Sequence, residues 1–206
     1  MENVNWSYLS KAIEFYKGLG YKYVEVPWFV PMETIMITCP SLEMAYEIKR
    51  GDALVGSAEQ SLMQMSIDGR LEPGRYVACS PCFRDEPVLD SLHQKQFMKV
   101  ELFDSLNVDH REHQAWHGVF PGTLDVIAHA MNCMESLGMP RGLHHGLHVQ
   151  ETEQGCDIDV FGIEMGSYGQ RTYMVDGKRY DHIYGTGLAE PRFSGMLQTL
   201  IKDKLS

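Results

Sequence analysis

Leu9, Ala12, Ile13 and Tyr16 recur at the three- and four-residue steps of a helix, with Asn5 ahead of them as a cap and Gly18 and Gly20 behind as a stop. The spacing predicts a first helix of about three turns. Residues 20–27, G-Y-K-Y-V-E-V-P, then turn aromatic and β-branched, which is the composition of a strand that ends at proline. Pro31 and Pro40 break the following stretch, where a short helix is expected over 42–49. A short strand at 53–55 runs into Ser57, which caps a helix from Ala58 to about Ile67, with Gly69 as its stop. Between Tyr76 and Phe103 both ends alternate apolar with other residues, and Pro87, Asp90 and Ser91 make the middle turn-prone, so the segment reads as a hairpin. Pro121 suits the first turn of a further helix that ends at Gly138, with Leu124, Ile127, Ala128, Met131 and Met134 as its apolar stripe. Ile158, Val160 and Ile163 then alternate as strand residues do.

The chain has 206 residues, enough for one full-sized core, and is read as a single domain over 1–206. Hydrophobic content of 44% and charged content of 22% are those of a globular protein, and no apolar run approaches the length of a bilayer crossing. The first residues, M-E-N-V-N-W-S, lack the basic and then apolar character of a signal peptide, and five cysteines without framework spacing fit a reducing compartment, so a cytoplasmic location is expected. A formal charge of -10 argues against a broad nucleic-acid-binding surface, because that affinity rests on neutralising phosphates with Lys and Arg.

Several polar groups could carry chemistry. Arg84 and Glu86 stand two apart at the end of the first hairpin strand, and Phe97, Lys99 and Glu101 follow at the same step on the returning strand. A guanidinium that forks onto a phosphate and a ring that stacks on a base would together suit a nucleotide. His110, His113 and His117 lie near one face of a helix over 109–117, a solvated face rather than a metal site, since no carboxylate or cysteine stands at ligand spacing. Cys79 and Cys82 form a lone C-x-x-C and are assigned to packing. His144, His145 and His148 follow in a Gly-rich connection without an assigned role.

F-R-D-E at 83–86 followed by F-M-K-V-E at 97–101 resembles motif 2 of the class II aminoacyl-tRNA synthetases. Helix, glycine, strand and Pro27 resemble motif 1, and Y-G-T-G-L-A-E-P-R at 184–192 resembles motif 3, with Ala189 where a third glycine is common and Pro191 just before the arginine. The resemblance implies an α+β fold, an antiparallel sheet of about six strands flanked by helices. It implies a homodimer through the segment around Gly20 to Pro27, and ATP and Mg2+ as cofactors. Arg84 would hold the α-phosphate, Glu86 the adenine amino group, Phe97 the adenine ring, His93 and Arg192 the γ-phosphate, while Gly185 and Gly187 would let the ligand approach the backbone. Ser57-Ala58-Glu59 resembles the element that grips the substrate amino group, although Ser57 with Gln60 is also a capping box and Glu59 suits a first helical turn for electrostatic reasons alone. Glu101 closes motif 2 as a further substrate-binding residue, and Glu164 with Ser167 resembles the E-x-x-S element whose Glu helps bind magnesium, an exposed strand carboxylate being the plain alternative.

The expected activity is ATP-dependent formation of an aminoacyl-adenylate, with Arg84 and Arg192 as the catalytic cations and no side-chain nucleophile. The chain starts just before motif 1 and ends shortly after motif 3, so the expectation is a stand-alone ligase without an anticodon-binding domain, transferring to tRNA or to another acyl acceptor. A catalytically silent paralogue that binds a ligand or partner is the other reading, and the pair of phosphate-binding arginines favours the enzyme.

Overall fold

The computed structural model describes residues 4–39, 41–85, 89, 94–108, 119–141, 147–152 and 155–205. Helix α1 (Trp6–Gly18) starts where Asn5 Oδ1 accepts from the backbone N–H groups of Ser7 (3.1 Å) and Tyr8 (3.2 Å). Those donors have no partner inside the helix, which is why Asn is favoured there. Strand β1 (Lys22–Tyr23) follows, shorter than the 20–27 strand expected. Next come β2 (Phe29–Pro31), α2 (Met32–Thr38), a single 3-10 turn (Leu42–Met44) and β3 (Asp52–Leu54). The helix expected over 42–49 is thus reduced to one turn, and α2 stands in a stretch where none was expected. Then α3 (Ala58–Ile67) is capped by Ser57 Oγ, which accepts from Glu59 N at 3.2 Å. Gln60 Oε1 accepts from Gly56 N at 2.8 Å, one residue before the position a capping box would use.

The hairpin is β4 (Arg75–Phe83) and β5 (Gln96–Asp104) in continuous antiparallel register, Cys82 opposite Phe97, Ser80 opposite Lys99 and Ala78 opposite Glu101. Helix α4 (Pro121–Ser136) precedes a run of strands, β6 (Leu147–Thr152), β7 (Gly155–Val160), β8 (Ile163–Val175) and β9 (Lys178–Glu190), and α5 (Arg192–Leu205) closes the described chain. The large sheet has seven strands in the order β1-β4-β5-β9-β8-β7-β6 and is antiparallel except where β1 runs parallel to β4. β2 and β3 form a separate antiparallel pair. The expected α+β class and antiparallel sheet are therefore found, with one strand more than anticipated.

Alternation along the strands divides the sheet into two faces. One carries Val77, Val100, Leu102, Ile183 and Tyr168, packed with Leu9, Ala12 and Tyr16 of α1 and with Val126, Ala130 and Met134 of α4. The buried stripe of α4 is only partly the one expected: Met134 is buried and Ile127 and Met131 pack against the core, but Leu124 is 38% exposed, Ala128 is exposed too, and Gly122, Thr123, Val126, Ala130 and Cys133 face inward instead. Small residues win this face because the helix lies close to the sheet. A Cβ on Gly122 would stand 2.5 Å from both Asn107 O and Ile183 Cδ1. The opposite face is covered by α3 only near Tyr76, Ala78, Phe103 and Tyr173. Beyond α3, no described helix covers that face until the cleft is reached.

Candidate active site

The part of this face left uncovered among the described residues is the floor of a cleft of about 630 Å3, roofed at one end by α2 and the start of α3. That volume suits a drug-sized or nucleotide-sized ligand. Arg84, Phe97 and Arg192, expected to hold one nucleotide although 108 positions separate the first from the last in the sequence, all line it. Arg84 Nε donates to Gly56 O at 3.3 Å, and its guanidinium stands 5.4 Å from the centre of the Phe97 ring. Arg192, first residue of α5, donates from Nη1 to Oε1 (2.9 Å) and to the backbone oxygen (3.1 Å) of Glu164. Glu86 and His93 lie outside the described residues, as do the histidines at 110, 113, 117, 144 and 145.

Asp157 and Glu164 both line the cleft, and Ser167 lies directly opposite Asp157. Burial raises the Asp157 carboxyl above the ordinary aspartate value, the Ser167 hydrogen bond opposes this, and the Glu164 charge adds to it. Among the described residues no group of three or more His, Cys, Asp or Glu side chains could hold a metal ion. Two carboxylates fit a magnesium ion that takes its other ligands from phosphate oxygens and water.

At the other end, Ser57 donates to Glu101 Oε2, and Lys99 Nζ lies 2.6 Å from the same oxygen. Glu101 is 1% exposed, and burial raises its pKa against the pull of Lys99. Glu59 behaves in the opposite way. Burial disfavours its charge, yet a hydrogen bond from His182 Nε2 (2.9 Å) and the charge and hydrogen bond of Arg171 Nε (2.9 Å) hold the carboxyl at about 2. An ionised Glu59 requires the proton on Nε2 of His182, whose ring is stacked on Phe103 at 4.4 Å. Neither Arg171 nor His182 stood out in the sequence. The available signal was the two-residue rhythm of Tyr180, His182, Tyr184 and Thr186, a polar row alternating with Ile183 and Gly185.

Two expected ligand positions are occupied by the protein itself. Gly187 is the extra residue where β5 and β9 shift register, and a Cβ there would stand 2.9 Å from Tyr16 Cε2 on the α1 side of the sheet. Tyr16 donates to its carbonyl at 2.8 Å. The close approach at Gly187 is therefore made by Tyr16, away from the cleft, and Gly185 is crowded in the same way by Val126 and Tyr168. Cys79 and Cys82, three apart on β4, emerge on opposite faces and share no site. Burial pushes their thiols up to about 12 and about 11, which fits packing rather than thiolate chemistry.

Comparison with known proteins bears on the fold and on the local sequence similarity. No protein-family model matches the chain. Over 110 residues, half of this chain, it is 30% identical to a serine–tRNA ligase of Cenarchaeum symbiosum, and over 111 residues 29% identical to that of Nitrosopumilus maritimus. Each match spans 26% of the relative's length. Among solved structures, the seryl-tRNA synthetase of Pyrococcus horikoshii, determined with ATP, superposes with a TM-score of 0.67 at 21% identity, covering 91% of this chain and 48% of the enzyme. A pyrrolysyl-tRNA synthetase of Desulfitobacterium hafniense gives 0.65 at 14% identity, covering 94% and 66%. In sequence pattern and in local similarity the chain resembles the class II aminoacyl-tRNA synthetases, and it has the fold of their catalytic core, spanning about half the length of the Pyrococcus enzyme it superposes on.

Proposed function

We propose that the chain activates an amino acid with ATP, forming an aminoacyl-adenylate and pyrophosphate for transfer to tRNA or another acyl acceptor. The observation that carries this is the shared cleft: Arg84, Phe97 and Arg192 line it together with Glu164 at one end and Ser57 and Glu59 at the other. The adenine ring would lie against Phe97, with Arg84 at the α-phosphate and Arg192 at the γ-phosphate. A carboxylate oxygen of the amino acid attacks the α-phosphorus in line, the bond to the bridging oxygen breaks, and pyrophosphate departs with that electron pair. Fixed cations favour the step because charge builds on the phosphorus oxygens as it proceeds, and they need no reorganisation when it does. Magnesium bound beside Asp157 and Glu164 would add positive charge at the phosphates. In the free chain Glu164 pairs with Arg192, so nucleotide and metal together exchange one ion pair for two new ones.

The relatives named above make L-serine the first substrate to try. Arg171 and His182 already satisfy Glu59, which leaves Glu101 and Ser57 as the group to receive the substrate's ammonium. Amino-acid-dependent exchange of labelled pyrophosphate into ATP tests the reading. We expect one or a few amino acids to support exchange, and Arg84→Ala or Arg192→Ala to lower it by about 100-fold or more. A folded protein that supports no exchange with any proteinogenic amino acid would instead be a silent, ligand-binding relative.

A further inference from the structure

We propose that Lys99 is a third cation of the reacting centre, released from Glu101 when the substrate's ammonium takes over that carboxylate. This rests on the activation reading and adds to it a residue and a step. Phe97, Lys99 and Glu101 share one face of β5 at two-residue steps, Phe97 and Lys99 lining the cleft and Glu101 buried next to Lys99. Their side chains are therefore rooted roughly 7 Å apart along the strand. Phe97 marks the adenine end, and Glu101 with Ser57 marks the amino-acid end. Lys99 stands between them, where the carboxylate oxygen has to meet the α-phosphorus.

Its surroundings suit a movable cation. Directly opposite it are Ser80 on β4 and Ala189 on β9, two small residues that leave the lysine stem room above the sheet. The side chain is 11% exposed and lines the cleft. An ammonium and a carboxylate buried this deeply are each costly alone, which accounts for the 2.6 Å pairing of Lys99 Nζ with Glu101 Oε2. Ser57 holds the same carboxylate independently of Lys99. The α-ammonium of an amino acid is the same chemical group as the lysine head, so it can replace Lys99 at Glu101 with the charge balance unchanged. Glu59 offers no such exchange, because its partners include a buried guanidinium on β8 and a histidine stacked against Phe103.

Once displaced, Lys99 has two anions within reach of its four-carbon stem, the substrate carboxylate and the α-phosphate. These repel each other as the new oxygen–phosphorus bond forms, and the ammonium between them counters the repulsion most at the point of closest approach. No proton changes hands, and the electron pair of the broken bond leaves with pyrophosphate.

The test is the kinetics of pyrophosphate exchange across the full panel of proteinogenic amino acids, for the wild-type chain and for Lys99→Gln, Lys99→Met and Lys99→Arg. The expected result is a fall in kcat of about 100-fold or more in the Gln and Met variants, with the KM for ATP and for the amino acid not raised, and partial recovery in the Arg variant. A merely structural lysine would change stability or KM without that split. Should the Gln variant fail to fold because Glu101 is left unpaired, Lys99→Gln/Glu101→Gln compared with Glu101→Gln alone measures the same loss of kcat. If the wild-type chain exchanges and the Lys99 variants keep kcat within about threefold, the Lys99 proposal is overturned and the activation reading stands. If the wild-type chain exchanges with no amino acid, the activation reading falls and the Lys99 proposal falls with it.

Discussion

Glu59 carries a consequence for acid stability that follows from its partners. An unfolded glutamate takes up a proton near 4.3, whereas in the folded chain His182 and Arg171 hold Glu59 ionised down to about 2. A folded-state pKa below the unfolded one stabilises the protein above the unfolded value, and that stability is lost as pH falls through the interval between them. The contribution amounts to about 3 kcal/mol. Urea unfolding midpoints of the wild type should therefore fall steeply between those two pH values, and Glu59→Gln should flatten the slope while lowering stability at neutral pH. Equal slopes would contradict the assigned partners. Gly187 gives a second prediction: Gly187→Ala pushes a methyl group into Tyr16 and Val100, so it should cost roughly 1–3 kcal/mol in thermal unfolding. Nucleotide affinity should change little, since the residue faces α1. A variant of wild-type stability with weakened ATP binding would return Gly187 to the cleft. Residues proposed to touch a ligand stood out in the sequence: an arginine and a phenylalanine at fixed spacing on a hairpin are visible before any fold is known, and both line the cleft. Arg171 and His182 were not, because their meaning comes from Glu59, more than a hundred positions away on another element.

Elements with local causes were legible too. Asn5 and Ser57 cap the helices they were expected to cap, and the β4–β5 hairpin follows the alternation of its own residues. Asn5→Ala should lower stability by about 1 kcal/mol, read from the unfolding midpoint, through the two N–H groups of α1 that Asn5 Oδ1 satisfies. An unchanged midpoint would mean that water replaces the cap without penalty. Elements that depend on partners far along the chain were misread. α2 has a proline at its cap position and two threonines and two isoleucines among its seven residues. Its stability comes from tertiary contacts such as the hydrogen bond from Gln60 Nε2 to Thr38 Oγ1 (2.7 Å). The face of α4 could not be chosen from hydrophobicity alone, since close packing on β9 selects Gly122 and Ala130 over Leu124. Asp176–Gly177, which turns β8 into β9 with both residues at positive φ (51° and 76°), is a strong hairpin signal that the reading of the sequence passed over.

At the scale of the molecule, the order of strands does what no single motif can. The sequence places Arg84 and Arg192 far apart, and the sheet order β4-β5-β9-β8-β7 brings the ends of their strands to one cleft. The segment expected to join two copies, Gly20 to Pro27, leaves Tyr23 at 41% exposure, and just after it Trp28 and Phe29 stand at 56% and 52%, an unusual set of large rings for a lone surface. We propose that these rings meet in a homodimer. Sedimentation equilibrium should give twice the chain mass, with Trp28→Asp shifting it toward the monomer, and a wild-type monomer at micromolar concentration would refute this. The most direct test of the whole account is a crystal structure of the chain with ATP and magnesium. The account predicts the adenine ring against Phe97, the triphosphate between Arg84 and Arg192, and Glu164 turned from Arg192 to the metal. Nucleotide bound elsewhere on the surface, or an Arg192–Glu164 pair left intact beside an empty cleft, would contradict it.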